Sequence, residues 1–160
     1  STVKAVETMN RPTVLLLGGS EKHSDYSAMC EVIRNSRWIR DAIVYGDTGE
    51  AIAQALARAG YTNVHRPEND HDFASVVQLA ASLAKPGENV LLSPACASFD
   101  MFSDFEHRGE AFKDLASALS DCPPALDSGQ KRRAFSRRRG GFRRMKRVCS
   151  SASRRCWRWD

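Results

Sequence analysis

The 160-residue sequence contains no long apolar run. None approaches the roughly 18 consecutive apolar residues that a membrane-spanning helix requires, so we expect no membrane span. The first ten residues, STVKAVETMN, lack the apolar core of a secretory signal. The chain also begins without Met, as a processed product or a piece of a longer protein would. The composition is that of a soluble protein.

Metal and redox motifs are also missing. The five cysteines show neither a CxxC nor paired spacing, which predicts reduced thiols, and His65, His71 and His107 lack the spacing of metal ligands. No histidine can be placed beside Cys96 as a base, so we interpret this cysteine as a small packed side chain. The sequence predicts no metal site.

Nucleotide-binding loops are absent as well. The glycine pair after the first apolar run reads GGSEKHSD. It matches neither G-x-G-x-x-G nor G-x-x-x-x-G-K-[ST]. Within these residues we find no sequence basis for ATP binding, and we predict no cofactor bound by this chain.

Charge divides the chain into two parts. The net charge is +5, from 24 Lys and Arg and 19 Asp and Glu. Residues 121–160 hold 13 bases and 3 acids, which leaves 11 bases and 16 acids in residues 1–120. The balances of +10 and −5 predict one domain over 1–120 and a separate basic tail over 121–160.

Buried strands alternate with helices in the first part. The apolar pattern predicts strands at 13–17, 39–44, 61–65 and 90–92, and helices at 26–36, 50–59, 70–84 and after Gly109. Pro94 is expected to end the fourth strand because it lacks a ladder donor. This alternation predicts an α/β fold with a doubly wound, mostly parallel sheet, like that of dinucleotide-binding domains.

Two loops of such a sheet are expected to form a crevice. In the common 3-2-1-4 strand order, strands one and four are neighbours, and the loops Gly18–Asp25 and Pro94–Phe105 face each other. Lys22 would lie opposite Ser98, close to the N–H groups after Ser98 and to a helix N-terminus. Such groups suit an anion, either carboxylate or phosphate.

The same two loops resemble a known family. LLLGGSEKHSDYS and LLSPACASFDMFSDFEHRGEAF look like the C-terminal domain of the Mur ligases, closest to the branch that adds D-glutamate, over about Ser1 to Leu119. The resemblance implies a cytoplasmic enzyme of peptidoglycan synthesis, an ATP- and magnesium-dependent amide-forming ligase. The family's UDP-binding N-terminal domain and central ATPase domain have no counterpart here, so we expect this chain alone to be inactive.

The resemblance also implies roles for individual residues. Lys22 would pair with a carboxylate of D-glutamate and Ser98 would donate its hydroxyl, while backbone N–H groups of Phe99 and Phe105 would assist. The two phenylalanine side chains themselves are interpreted as core or helix-packing groups. Arg108 is interpreted as a charge at the surface or at a helix start, or alternatively as a charge near the crevice mouth that steers an anion. No catalytic or metal-binding residue is implied within this chain.

The basic tail allows two interpretations. Its Arg runs, few aliphatic residues and lack of periodicity predict disorder. The abrupt change of composition is typical of out-of-frame translation of a GC-rich gene. Alternatively, the tail is an interaction segment that makes the chain a non-catalytic anion- or nucleic-acid-binding module. Its aromatic residues for stacking on bases would be Phe135, Phe142, Trp157 and Trp159.

Overall fold

The computed structural model describes residues 2–20, 25–119, 146–148 and 156–159. The helices are α1 (Thr2–Glu7), α2 (Ser27–Asn35), α3 (Gly49–Arg58), α4 (Phe73–Leu83) and α5 (Phe105–Leu119). The strands are β1 (Thr13–Gly18), β2 (Ile39–Tyr45), β3 (Val64–His65), β4 (Asn89–Ala95), β5 (Lys146–Val148) and β6 (Cys156–Trp159). No helix among these residues has the length and apolar character needed to cross a membrane.

The strands form one sheet in the order β3-β2-β1-β4-β6-β5. The first five in that order run parallel, and β5 pairs antiparallel with β6 at the edge. The predicted α/β doubly wound fold is therefore confirmed, including the 3-2-1-4 order. Because the winding reverses between β1 and β4, the loops after these two strands lie at the switch point of the sheet.

Each face of the sheet carries its own apolar core. Successive residues of β1 point to opposite faces, so Leu15 and Leu17 contact one core while Val14 and Leu16 contact the other. Helices α1, α2 and α3 cover the first face, and α4 and α5 cover the second. All four of these β1 side chains are fully buried, as expected for a central parallel strand.

Pro94 does not end the fourth strand, contrary to the prediction. β4 continues to Ala95, and Pro94 lies where the register with β1 shifts between Leu16 and Gly18. Such an irregularity leaves one position without a regular ladder bond, so the missing N–H of proline is tolerated there.

Helices α4 and α5 begin at different residues from those predicted. α4 starts at Phe73 because the Asp72 carboxylate caps it, accepting from the N–H groups of Ala74 (3.3 Å) and Ser75 (3.2 Å). α5 starts at Phe105, ahead of the predicted Gly109.

Part of the basic tail is ordered on the sheet. β6 adds to β4, and the N–H of Cys156 donates to the carbonyl of Glu88 at 2.8 Å. Trp157 is 1% exposed, and its ring meets Phe112 edge-on at a centroid distance of 5.5 Å. Two short strands, β5 and β6, thus come from the segment predicted to be disordered, and the disorder of the tail as a whole stays a prediction. The two strands form because β4 offers unpaired backbone groups and α5 an apolar surface.

The remaining residues of the tail, 120–145, 149–155 and 160, lie outside the described part of the chain, as do the side chains of 146–148 and 159. The division into domains at residue 120 stays a prediction. Cys156 is disulfide-bonded, so the reduced state predicted from the cysteine spacing is wrong for this thiol.

Candidate functional site

The loops after β1 and β4 meet at the switch point, as predicted. The N–H of Ser20 donates to the carbonyl of Ala97 at 3.1 Å, and the two residues form an isolated antiparallel bridge. Gly19 has φ +137°, and a Cβ atom there would collide with the Ala97 carbonyl oxygen. Glycine therefore permits the close approach of the two backbones.

The loop after β2 joins the same cluster. Thr48 donates to the carbonyl of Gly19 through both its N–H (3.1 Å) and its Oγ1 (3.0 Å). A Cβ atom on Gly46 would collide with the Asp100 carboxylate and come within 3.3 Å of Gly19. Backbone contacts thus hold three loops together at one end of the sheet.

Ser98 lies at the start of a tight turn after β4. Its carbonyl accepts from the N–H groups of Met101 (3.2 Å) and Phe102 (2.8 Å), and the residue is 2% exposed. Among the described residues none is hydrogen-bonded to the Ser98 hydroxyl. The turn therefore fixes the backbone of Ser98, and the role predicted for its hydroxyl stays a prediction.

The side chains of Phe99 and Phe105 do not belong to the core. They are 74% and 50% exposed, so their interpretation as packed side chains is wrong. Phe102 packs instead, meeting Phe73 edge-on at 5.0 Å. Phe105 is the first residue of α5, so its amide lies at the positive end of a 15-residue helix.

Lys22 lies outside the described residues, which break off at Ser20 and resume at Asp25. Its predicted role stays a prediction. The structure does describe Ser20, which precedes Lys22 by two residues. The N–H of Ser20 is hydrogen-bonded to the carbonyl of Ala97.

Arg108 lies beside the loop after β4, near the crevice, but its burial was not predicted. It is only 7% exposed, and its guanidinium donates to the carbonyls of Cys96 (3.3 Å) and Ala97 (3.1 Å). The expectation of a surface charge is therefore wrong. The sequence spacing did indicate this burial. Arg108 precedes the buried Phe112 by four residues and so lies on the same face of α5.

Cys96 is a packed side chain, as interpreted from the sequence. It is 8% exposed, and Thr48 Oγ1, whose proton is donated to the Gly19 carbonyl, lies 3.3 Å from its sulfur. The Tyr26 hydroxyl also lies 3.3 Å from the sulfur. These contacts tie the loop after β4 to α2 and to the loop after β2.

A buried tyrosine lies beneath the loops. Tyr45 ends β2 and is fully buried, and burial raises the pKa of its hydroxyl well above the ordinary value of 10.0. The positive charge of Arg108 opposes that shift, while the negative charge of Asp100 adds to it. Tyr45 is therefore a neutral hydroxyl between an arginine and a carboxylate.

Two cavities flank the loops. One of about 350 Å³ lies beside the end of β4 and includes Ala95, Cys96 and Arg108 in its wall. The other, of about 480 Å³, lies between α2 and α3. Its wall includes Asp25, Glu31, Asp47 and Arg58. With three acids and one arginine, the larger cavity is less suited to an anion than the loop cluster around Ser98.

Two further predictions concern metals and nucleic acid. Across residues 2–20, 25–119, 146–148 and 156–159, no group of three or more His, Cys, Asp or Glu side chains is arranged to hold a metal ion. Trp157 is buried and so is not available to stack on bases. Phe135 and Phe142 lie outside the described residues, and the nucleic-acid alternative for the rest of the tail stays a prediction.

Several curated proteins similar to this chain carry the name UDP-N-acetylmuramoylalanine–D-glutamate ligase. The protein from Symbiobacterium thermophilum is 41% identical over 118 residues, which is 74% of this chain and 25% of the relative. The protein from Bordetella parapertussis is 41% identical over 130 residues, or 81% of this chain and 23% of the relative. The protein from Clostridioides difficile is 34% identical over 119 residues, again 74% and 25%.

The chain thus spans about a quarter of the length of the curated relatives that it matches. No protein-family model matches it. The resemblance predicted from the two loop motifs is confirmed: most of this chain is similar in sequence to a segment of the UDP-N-acetylmuramoylalanine–D-glutamate ligases.

Proposed function

We propose that residues 1–120 are the C-terminal, amino-acid-binding domain of a ligase that adds D-glutamate to UDP-N-acetylmuramoyl-L-alanine. The observation that carries the proposal is the contact between Ser20 and Ala97, which joins the loops of the two family motifs. The similarity to D-glutamate ligases supports the identity of the ligand.

The loop chemistry suits a dicarboxylic amino acid. The Lys22 ammonium neutralises one carboxylate, and a charge-assisted hydrogen bond of this kind contributes about 1.5–3 kcal/mol. The Ser98 hydroxyl and the N–H groups of Phe99 and Phe105 donate to carboxylate oxygens. The N-terminus of α5 adds a favourable potential for negative charge.

The domain's part in the reaction is to bind and orient D-glutamate so that its amine reaches an activated carboxylate and forms an amide. ATP and magnesium, which supply that activation, are held elsewhere in the ligase. We therefore expect this 160-residue chain alone to show no ligase turnover. The setting we propose is the cytoplasm, where peptidoglycan precursors are made.

Calorimetric titration of the chain with D-glutamate tests the proposal. We expect Lys22→Ala to weaken binding roughly 10- to 100-fold and Ser98→Ala roughly 2- to 12-fold, from the free energies of charged and neutral hydrogen bonds. The controls are Lys85→Ala and Ser82→Ala, which change the same residue types away from the loops. Ser82 lies near the end of α4, and Lys85 lies in the turn that follows this helix. Equal effects of the site and control substitutions would contradict the proposal.

In the complete ligase, Lys22→Ala is expected to change the KM values of the two substrates to different extents. Lys22→Ala should raise the KM for D-glutamate far more than the KM for ATP, because only the amino acid contacts this loop. Similar increases in both constants would contradict the assigned role.

A further inference from the structure

Asp100 has a buried carboxylate that takes no part in the proposed contacts with the ligand. Both of its carboxylate oxygens are buried and lack a hydrogen-bond partner among the described residues. The side chain points inward, against the Cα of Gly46 in the loop after β2. A carboxylate taken out of water without a partner is unfavourable, so the surrounding fold must hold it there.

The groups around Asp100 belong to the end of β2 and to α5. Tyr45, at the end of β2, is fully buried. Arg108 comes from α5 and acts electrostatically on Tyr45 with the opposite sign to Asp100. A buried carboxylate, hydroxyl and guanidinium therefore share the space beneath the loop after β4.

Asp100 also lies inside the turn that contains Ser98. The N–H groups of Met101 and Phe102, the two residues that follow Asp100, both donate to the Ser98 carbonyl. The carboxylate of Asp100 therefore lies at the centre of the turn and fills the space between the turn and Gly46. Arg108 fixes the preceding residues, Cys96 and Ala97, through their carbonyls.

We propose that Asp100 is a positioning residue that holds the Ser98 turn against Gly46 and Tyr45, so that the Ser98 hydroxyl and the Phe99 N–H face the ligand. The carboxylate itself does not touch the ligand, because its oxygens point into the protein. The expected effect of Asp100 on ligand affinity rests on the proposed binding of D-glutamate. Its expected effect on the turn rests only on its buried contacts.

The first test needs no ligand. Hydrogen exchange of backbone amides is measured by NMR on the 160-residue chain and on Asp100→Ala, Asp100→Asn and Asp114→Ala. Asp114 is an exposed acid on α5 and serves as the matched control. We expect exchange at the Phe102 amide to become at least tenfold faster in Asp100→Ala and to change little in Asp100→Asn, which keeps the shape of the side chain. Unchanged exchange in Asp100→Ala would overturn the proposal.

The second test measures D-glutamate affinity of the same four proteins, well below their unfolding temperatures. Asp100→Ala should weaken binding at least tenfold, with rescue to within threefold by Asp100→Asn. A residue that only stabilises the fold would lower the unfolding temperature without changing this affinity, and that result would also overturn the proposal. If the unmodified chain does not bind D-glutamate, the proposed function fails, while the exchange measurement still decides the role of Asp100.

Discussion

At the scale of single residues, the site depends on glycines where backbones nearly touch. Gly19→Ala should destabilise the chain by about 1–3 kcal/mol, because the new methyl group meets a carbonyl that cannot move freely. The collision involves Ala97, whose carbonyl Arg108 also binds. Urea unfolding of the variant measures the loss of free energy.

Gly87→Ala is the matched control for that experiment. Gly87 also has positive φ, at +86°, but a Cβ atom there would meet nothing within 4 Å. The Gly87→Ala variant therefore measures only the free-energy cost of placing alanine at a positive φ. If both variants lose the same free energy of unfolding, the close approach at Gly19 is not what matters.

His71 makes stability depend on pH. Its Nε2 lies 3.0 Å from Asp47 and its Nδ1 lies 2.9 Å from Asp70, which in turn pairs with Arg66. The hydrogen bond to Asp47, followed by that to Asp70, raises the pKa of His71 above its ordinary value of 6.5. A raised pKa in the folded state stabilises the fold below pH 6.5, and this stabilisation is lost as the pH rises through the folded-state pKa.

We therefore expect the unfolding temperature of His71→Asn to fall below that of the unmodified chain at about pH 5.5 and to approach it at about pH 9, where the imidazole is neutral in both states. A difference that stays constant over this range would show that charge on His71 does not contribute. An NMR titration of the imidazole provides an independent value of the pKa.

The residue scale also marks the limit of sequence-based prediction. The pairing of the loops that carry Lys22 and Ser98 followed from motif and strand order, but the burial of Arg108 and the exposure of Phe99 did not. Arginine is seldom buried and phenylalanine often is. These two residues reverse that tendency. The guanidinium of Arg108 donates to the carbonyls of Cys96 and Ala97, and Phe99 lies on the outer side of the turn that follows.

At the scale of elements, helix α5 connects the loop after β4 to strand β6. Arg108 in its first turns holds the loop after β4, while Phe112, one turn later, contacts Trp157 on β6. Phe112→Ala should therefore cost about 3–5 kcal/mol in unfolding free energy. Chemical denaturation measures it, with the 74%-exposed Phe99 changed to Ala as the control.

A double-mutant cycle shows whether the tail strand contributes. The aromatic pair should couple by about 0.5–1.5 kcal/mol when Phe112→Ala is combined with Trp157→Ala. Additive losses would mean that β6 is not packed on α5 in solution.

Elements of the first part were predictable because each has a periodic apolar face, as α3 has with Ile52 and Leu56. The tail was not predictable in this way. Its few apolar residues have no periodicity, and β6 forms because β4 already provides an edge and α5 a surface for Trp157. Pro94 was misjudged for a similar reason, since the irregular pairing that tolerates it depends on the register of β1.

At the scale of the whole molecule, the described residues form one sheet with cores on both faces and the loops clustered at one end. The chain covers about a quarter of the length of its curated relatives. The central claim is that the loop cluster of Ser20, Ala97 and Ser98, rather than the acidic cavity between α2 and α3, receives the amino acid.

The most direct test is a D-glutamate titration of the ¹⁵N-labelled chain, followed by amide chemical shifts. The account predicts the largest shifts at Ser20, Ser98, Phe99 and Phe105. Shifts concentrated instead at Glu31 and Arg58, in the wall of the acidic cavity, would contradict it.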